Sequence, residues 1–448
     1  LNNRSDDSRM TKSRRRAPFE AIRSRLNSAA NSLGRHRVSS WLFGGPEEQI
    51  RPAISQGILA SILITVGSWG VGFLPQSGDS IFSGTTILVP VRTETTGVIV
   101  SAVLLILGCL LLMRAWLRLG QRIDFSSSRS ESLIVRAIWY WTLPMLASFP
   151  IFSRDVFSYL AQGRLFSLGG NPYEGWVSQL PGWFMLGADG LWAESHSPYG
   201  PLFLAIAGLF WLLSGQVPEV GVFLFRLLSV ASMWLLIRSL GRMSVSMGQN
   251  SSFSLWLVIA NPLFLIIMIA AAHNDVLMLA LLIAATCLLR KGRFIVGLVL
   301  FGHSIAIKPI VVVLVPFLVF LVLRGKAGVT LPKKIGIWFA AVIILFLLLG
   351  AIGAFTGLWF GWFPAMLTSG SAAFPYAPVG LLGLLLGWFL GSFNLDPSQT
   401  ADIFYKIIRG VAGLIIAWGA IRTQRAAFEP RHTFRDASLV LLIVVLSA

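Results

Sequence analysis

Asp155 is the residue with the most chemistry to offer. It lies in the run Ser153-Arg154-Asp155-Val156-Phe157-Ser158-Tyr159-Leu160-Ala161-Gln162-Gly163-Arg164. At about 3.6 residues per turn, Asp155, Ser158, Tyr159 and Gln162 share one helical face, while Phe157, Leu160, Ala161 and Leu168 share another. The pattern predicts an interfacial helix with its polar face turned toward a cavity. A helix N-terminus stabilises a carboxylate at its start. Asp155 can act there as a general base at a membrane surface. It can also be a plain N-terminal cap, or the partner of Arg154.

Cations form the second group. Arg226 lies about seven residues inside the outer end of an apolar stretch. Lys308 sits at a bend between two half-length apolar stretches. Arg409 lies about seven residues inside another. Snorkelling accounts for any one of these. Three on separate elements at a similar depth point to an anionic headgroup, with phosphate the natural candidate for the arginine fork.

Other polar residues gather in short motifs. Gly169-Gly170-Asn171-Pro172-Tyr173 reads as a turn, and Ser195-His196-Ser197-Pro198-Tyr199-Gly200-Pro201 as a rigid lead-in to the next helix. Both are punctuation in the simplest reading. Asn171, Tyr173, His196 and Tyr199 also suit a sugar, whose ring stacks on aromatic faces and whose hydroxyls need partners. Ala272-His273-Asn274-Asp275 stands at a tight turn before an apolar helix. Asn274 or Asp275 is a natural N-cap there. Ionisable residues at membrane depth also mark functional sites.

The elements that hold these residues are membranous. The chain has 448 residues, 55% hydrophobic and only 12% charged. A soluble domain carries about 25% charged residues, so lipid must be the solvent. A span needs roughly 20 apolar residues. The positive-inside rule orders spans at about 54–74, 98–118, 133–151, 219–240, 253–272 and 275–289. A tight pair follows at about 294–307 and 309–323, then spans at about 335–355 and 402–421. Every basic loop then falls on one side. Residues 153–218 form a large outer loop, in which Pro201–Gly215 is expected as an interfacial helix. Segment 356–401 begins and ends outside.

Ten of the 36 lysines and arginines crowd into residues 1–50. This segment is expected to be a basic cytoplasmic arm, disordered or lying on anionic headgroups. A nucleic-acid arm is the other reading, but nothing downstream would use it. No cleavable leader is expected. The apolar run at 437–448 is expected to be part of a span that continues. Cys109 and Cys287 fall inside predicted spans without Cys-x-x-Cys spacing, which points to packing, not to a disulfide or metal site.

A carboxylate facing outward and cations at phosphate depth suit one chemistry. A polyprenyl-phosphate sugar docks with its phosphate on Arg226, Lys308 and Arg409. The carboxylate deprotonates an acceptor hydroxyl, which attacks the anomeric carbon as the lipid phosphate leaves. The cations stabilise the charge building on that leaving group.

At these motifs the chain resembles the GT-C integral-membrane glycosyltransferases. It is most similar to the actinobacterial polyprenol-phosphomannose-dependent α-1,6-mannosyltransferases that build the core of lipomannan and lipoarabinomannan. The residues that carry the resemblance are Arg154 to Tyr159, Gly170 to Tyr173, Ser197 to Leu202, His273 to Asp275 and Ile307 to Pro309. The resemblance implies an all-α polytopic membrane protein, a GT-C-like helix bundle with interfacial helices in a large outer loop. Its catalytic core covers 133–448, preceded by two accessory spans within 51–132. Asp155 is then the acidic catalytic residue of the first large outer loop, although it follows the third span where GT-C proteins commonly carry it after the first. Arg226, Lys308 and Arg409 hold the donor phosphate. Arg154, Tyr159, Asn171, Tyr173, His196, Tyr199, His273, Asn274 and Asp275 are candidates for sugar and acceptor binding.

The family further implies a β-linked polyprenyl-phosphate-mannose donor, inversion to an α linkage, a lipid-anchored mannan acceptor and no metal or other cofactor. The expected location is the plasma membrane, with the N-terminus cytoplasmic and the active site extracytoplasmic. A lipid-linked glycan flippase is the rival reading. It lacks support from any inverted repeat. The same chemistry on another sugar, such as arabinose or glucose, is a second rival.

Overall fold

The computed structural model describes residues 50–323 and 328–368, with single helical positions at 382, 385–389, 407, 411, 414 and 418. The basic arm up to residue 49, most of the expected span at 402–421 with Arg409, and nearly all of 369–401 lie outside the described residues. Among the described residues there is helix and turn but no strand. Four helices there are long and apolar enough to cross a membrane, or up to five if one bent pair counts as a span. The protein is an all-α polytopic membrane protein.

The chain divides into two compact units. The first holds α1 (Ile50–Val71), α2 (Val89–Thr93), α3 (Thr95–Arg122) and α4 (Ser130–Met145). Helices α1 and α3 approach closely because their seam is small. A Cβ on Gly67 would stand 2.6 Å from the Leu105 nitrogen, and one on Gly108 would stand 2.8 Å from the Ile64 nitrogen. Small residues serve this purpose in membranes, where apolar burial alone does not drive helices together. The Trp141 indole of α4 donates to the Ile54 carbonyl at 3.0 Å, in space that Gly57 leaves open. The other side of α3 presents Ile99, Val103, Ile106 and Leu110, all exposed, as a lipid-facing surface requires. The expected span at 133–151 is shorter than read. Helix α4 has only 16 residues and carries Pro144 in its last turn, where the ring removes a helical donor.

The second unit contains α5 (Asp155–Ser167), α6 (Pro201–Leu213) and most of α7 (Pro218–Ser246). Helix α6 rises about 20 Å, less than the ~30 Å of hydrocarbon, so it does not cross alone. Where one span was expected at 253–272, the first unit has α8 (Ser251–Val258) and α9 (Pro262–Leu265), the latter continuing as a π-turn to Ala270. The two parts are bent by 58°. Pro262 accounts for the break, since the residue before a proline is pushed out of helical conformation.

The second unit resumes with α10 (Asp275–Arg290) and α11 (Phe294–Ile307). The expected helix at 309–323 is instead a 3-10 turn at Pro309–Leu314, a short α12 (Val315–Leu318) and a second 3-10 turn to Leu323. Helix α13 (Leu331–Thr356) and α14 (Trp362–Thr368) follow.

Candidate active site

Helix α5 begins at Asp155 and is buried on almost every side from Val156 to Gly163. The polar face expected to turn toward a cavity meets one at Asp155, Ser158 and Gln162, and the remaining sides of the helix are buried as well. Its apolar-to-polar alternation reflects two buried surroundings, and Leu168, assigned to the apolar face, is exposed. Gly163 allows α6 to come against it: a Cβ there would stand 2.3 Å from the Ala207 carbonyl oxygen.

One face of α5 opens on a cavity of about 320 Å³ lined by Asp155, Ser158 and Gln162. Trp192, Ser195, His196, Pro198 and Tyr199 line it from the following loop, and Lys308, Ile310 and Met366 complete it. Its size falls within the roughly 300–1,000 Å³ of small-molecule sites. The cavity thus brings together Asp155, Lys308, His196 and Tyr199, four of the residues singled out from sequence.

Hydrogen bonds fix the loop wall. Ser197 Oγ donates to Gln162 Oε1 at 2.8 Å, and Ser197 N–H donates to the Pro172 carbonyl at 2.9 Å. The Tyr173 hydroxyl donates to the Tyr199 carbonyl at 2.8 Å. Gly200 N–H donates to the Ile307 carbonyl at 3.0 Å, and a Cβ at Gly200 would stand 2.2 Å from the Ala306 oxygen. The glycine therefore lets this loop touch the end of α11, from which Lys308 projects.

Lys308 is held from the other side as well. Ser304 Oγ donates to the Met278 carbonyl at 2.9 Å, tying α11 to α10. Across that pair the Lys308 ammonium donates to Asp275 Oδ1 at 2.7 Å. Asp275 is thus the partner of Lys308, and Asn274, at the N-cap position, makes no side-chain cap bond.

Beneath the cavity lies an aromatic cluster. Tyr159, buried and not among the lining residues, meets Tyr199, Phe203 and Phe225 edge-on at 5.0–5.5 Å between ring centroids. Its hydroxyl lies 3.5 Å from Asn274 Oδ1, the outer limit of a hydrogen bond. Burial pushes the Tyr159 hydroxyl well above the ordinary tyrosine range, and the nearby Tyr199, Asp155 and Asp275 add to this. Tyr199 is raised by burial first, then by the same two carboxylates. Both tyrosines are therefore neutral donors, and the two aspartates share one neighbourhood.

Several expected roles move. Asn171 is spent on its own turn, its Oδ1 accepting from Tyr173 N–H at 3.0 Å. Tyr173 is buried as a brace for Tyr199, and neither Asn171 nor Tyr173 lines the cavity. Arg226 is only 5% exposed on α7 and is not among the lining residues, so the expected phosphate cluster is not assembled there. Arg409 lies outside the described residues. Arg154 stacks over Phe73 at 5.1 Å in the first unit. His273 follows Ala272, whose φ is +57°, and its N–H donates to the Ile267 carbonyl at 3.3 Å.

Trp192, Ser195, Pro198, Ile310 and Met366 line the cavity without having been chosen, while Ser158 and Gln162 belong to the face expected to turn toward one. Ser158 and Gln162 carried a signal, standing three and seven residues beyond Asp155. Trp192, Ile310 and Met366 carried none, because loop and apolar residues look alike wherever they pack. No three His, Cys, Asp or Glu side chains among the described residues are grouped as metal ligands.

Comparison with known proteins gives this cavity a context. Residues 54–324 match the family model described as alpha-(1->6)-mannopyranosyltransferase, N-terminal domain. Alpha-(1->6)-mannopyranosyltransferase A of Mycobacterium tuberculosis is 29% identical over 405 residues, covering 87% of this chain and 75% of the relative. The protein of the same name in Corynebacterium glutamicum is 26% identical over 375 residues, covering 76% of each chain. A probable alpha-(1->6)-mannopyranosyltransferase of Mycolicibacterium smegmatis is 32% identical over 279 residues, covering 60% of this chain and 49% of its own. No solved structure matches the chain. With more than half of its length in the family match, cavity included up to Ile310, the chain belongs to the alpha-(1->6)-mannopyranosyltransferase family and is a membrane glycosyltransferase.

Proposed function

We propose that the protein is an inverting mannosyltransferase that moves mannose from polyprenyl-phosphate-mannose to a growing α-1,6-mannan on the outer face of the plasma membrane. The observation that carries this reading is the shared cavity of Asp155 and Lys308, a carboxylate and an ammonium within one small-molecule site. Asp155 takes the proton of the acceptor hydroxyl. The acceptor oxygen bonds to the anomeric carbon as the bond from that carbon to the phosphate oxygen breaks. Polyprenyl phosphate leaves with the electron pair, and Lys308 offsets its charge. Asp155 then returns its proton to water. In this reading the ammonium does the work of neutralising a monophosphate, and no metal is needed. Arg226, buried on α7, is left as a support for the donor away from the reacting atoms.

The test is transfer by the purified protein from radiolabelled polyprenyl-phosphate-mannose to a short α-mannoside, with the product linkage determined. An α-1,6 product that Asp155→Asn loses, at unchanged protein yield, supports the reading. Full activity in Asp155→Asn removes Asp155 as the base. Lipid flipping by a protein that never transfers sugar replaces the transferase with the flippase.

A further inference from the structure

Beside the cavity stands a braced part of the loop that the transfer reaction itself does not use. Two 3-10 turns of the loop, Val177–Gln179 and Gly190–Trp192, are joined by Ser178 N–H donating to the Ala193 carbonyl at 2.9 Å. Each turn is pinned at its start. Gln179 Oε1 accepts from Trp176 N–H at 3.4 Å, and Asp189 Oδ1 accepts from Leu191 N–H at 2.9 Å. The joined turns carry Trp176 and Trp192. Trp192 and His196 line the cavity, and Trp176 packs on His196 with ring centroids 5.7 Å apart. Trp176 remains 37% exposed. His196 Nδ1 is shielded from water and has no hydrogen-bond partner.

Indole faces beside an imidazole, held on braced turns next to the cavity, have the composition of a saccharide site. A pyranose offers a face of C–H groups to an aromatic ring and a rim of hydroxyls to polar atoms. A tryptophan that only anchors a loop in the membrane interface has no reason to pack on a residue of the cavity wall.

We infer that Trp176 and His196 extend the acceptor side of the cavity into a second sugar subsite, so that the acceptor is a saccharide of at least two residues. The terminal sugar enters beside Asp155, and the sugar before it stacks on Trp176 and passes over the His196 ring where that residue lines the cavity. This rests on the transferase reading and adds to it the residues that hold the acceptor's second sugar.

The test uses the full chain in detergent or nanodiscs with two acceptors, methyl α-mannoside and an α-1,6-linked trimannoside. Wild type is expected to use the trimannoside about tenfold better in kcat/KM, the size of one modest contact. Trp176→Ala brings the ratio of the two acceptors close to unity, and Trp176→Phe retains most of it. Trp176→Gln repeats the measurement should the alanine variant fold poorly. Trimannoside binding without donor, followed by calorimetry, must weaken in parallel. An unchanged acceptor ratio in Trp176→Ala and Trp176→Gln overturns the subsite while leaving the transferase intact. Trimannoside binding that depends on Trp176 in a protein that never transfers mannose overturns the transferase and keeps the subsite.

Discussion

Lys308 Nζ stands 2.7 Å from Asp275 Oδ1, with the two side chains 28% and 23% exposed. The pair is neither a solvated surface bridge nor a sealed one. Its ammonium faces the cavity that Asp155 also lines. Asp275 therefore aims the cation, and an arriving phosphate competes for the same ammonium. Removing either partner should cost roughly 1–3 kcal/mol of stability, between exposed and fully buried pairs. The catalytic consequences should differ. Lys308→Met removes the charge opposite the leaving group and should lower kcat sharply. Asp275→Asn keeps the cation and should act more on donor KM. A double-mutant cycle on melting temperature and kinetics measures the coupling. Additive losses would sink the pairing as a functional unit.

Gln162 shows how a buried amide supports the site. Its Oε1 is the acceptor for Ser197 Oγ, and Ser197 N–H in turn reaches Pro172. Gln162→Leu leaves the buried Ser197 hydroxyl without that acceptor, at about 1–3 kcal/mol. The expected result is a lower melting temperature and a higher acceptor KM, because the same segment carries His196 and Tyr199. Gln162→Glu retains an acceptor oxygen and should recover part of the loss. Equal behaviour of the two variants would argue against this role.

Gly200 sets the distance between the loop and α11. Its absent Cβ is what allows contact with the Ala306 carbonyl, which is backbone and cannot swing aside. Gly200→Ala should cost about 1–3 kcal/mol by overpacking. Lys308 lies two residues beyond Ala306, so activity should fall by more than stability alone explains. The check is specific activity of the folded fraction, measured after gel filtration. Wild-type specific activity there would separate Gly200 from the placement of Lys308.

The sequence made some of this legible and hid the rest for physical reasons. Asp155 at a helix start, and Ser158 and Gln162 at three and seven residues on, follow from helical period alone. Lys308 was readable because Pro309 behind it forces a bend. Asn171 and Tyr173 misled, since a turn amide and a buried phenol have the same types as sugar contacts. Only the observed bonds, Asn171 to its own turn and Tyr173 to Tyr199, separate the two uses. The Asp275–Lys308 pairing spans 33 residues. It depends on how α10 and α11 pack, which no local pattern encodes. Arg226 was chosen for its position along an apolar stretch, and position along a helix does not tell which side of α7 it occupies.

Tyr159 gives the fold a defined response to alkali. Burial is the main cause that raises its hydroxyl pKa, with Tyr199, Asp155 and Asp275 contributing. In the unfolded chain the phenol titrates near its ordinary value of about 10. Below that pH both states keep the proton, and the full stabilisation is present. Above it the unfolded chain sheds the proton while the folded chain holds it. Stability is then lost as pH rises toward the folded value. The melting temperature in detergent should therefore decline from about pH 10 upward. Tyr159→Phe cannot titrate and gives up the long 3.5 Å hydrogen bond to Asn274 and the contact with the Tyr199 hydroxyl. It should melt near wild type at pH 8 and decline less steeply between pH 10 and 11. Parallel curves for the two proteins would show that other groups govern the alkaline limb.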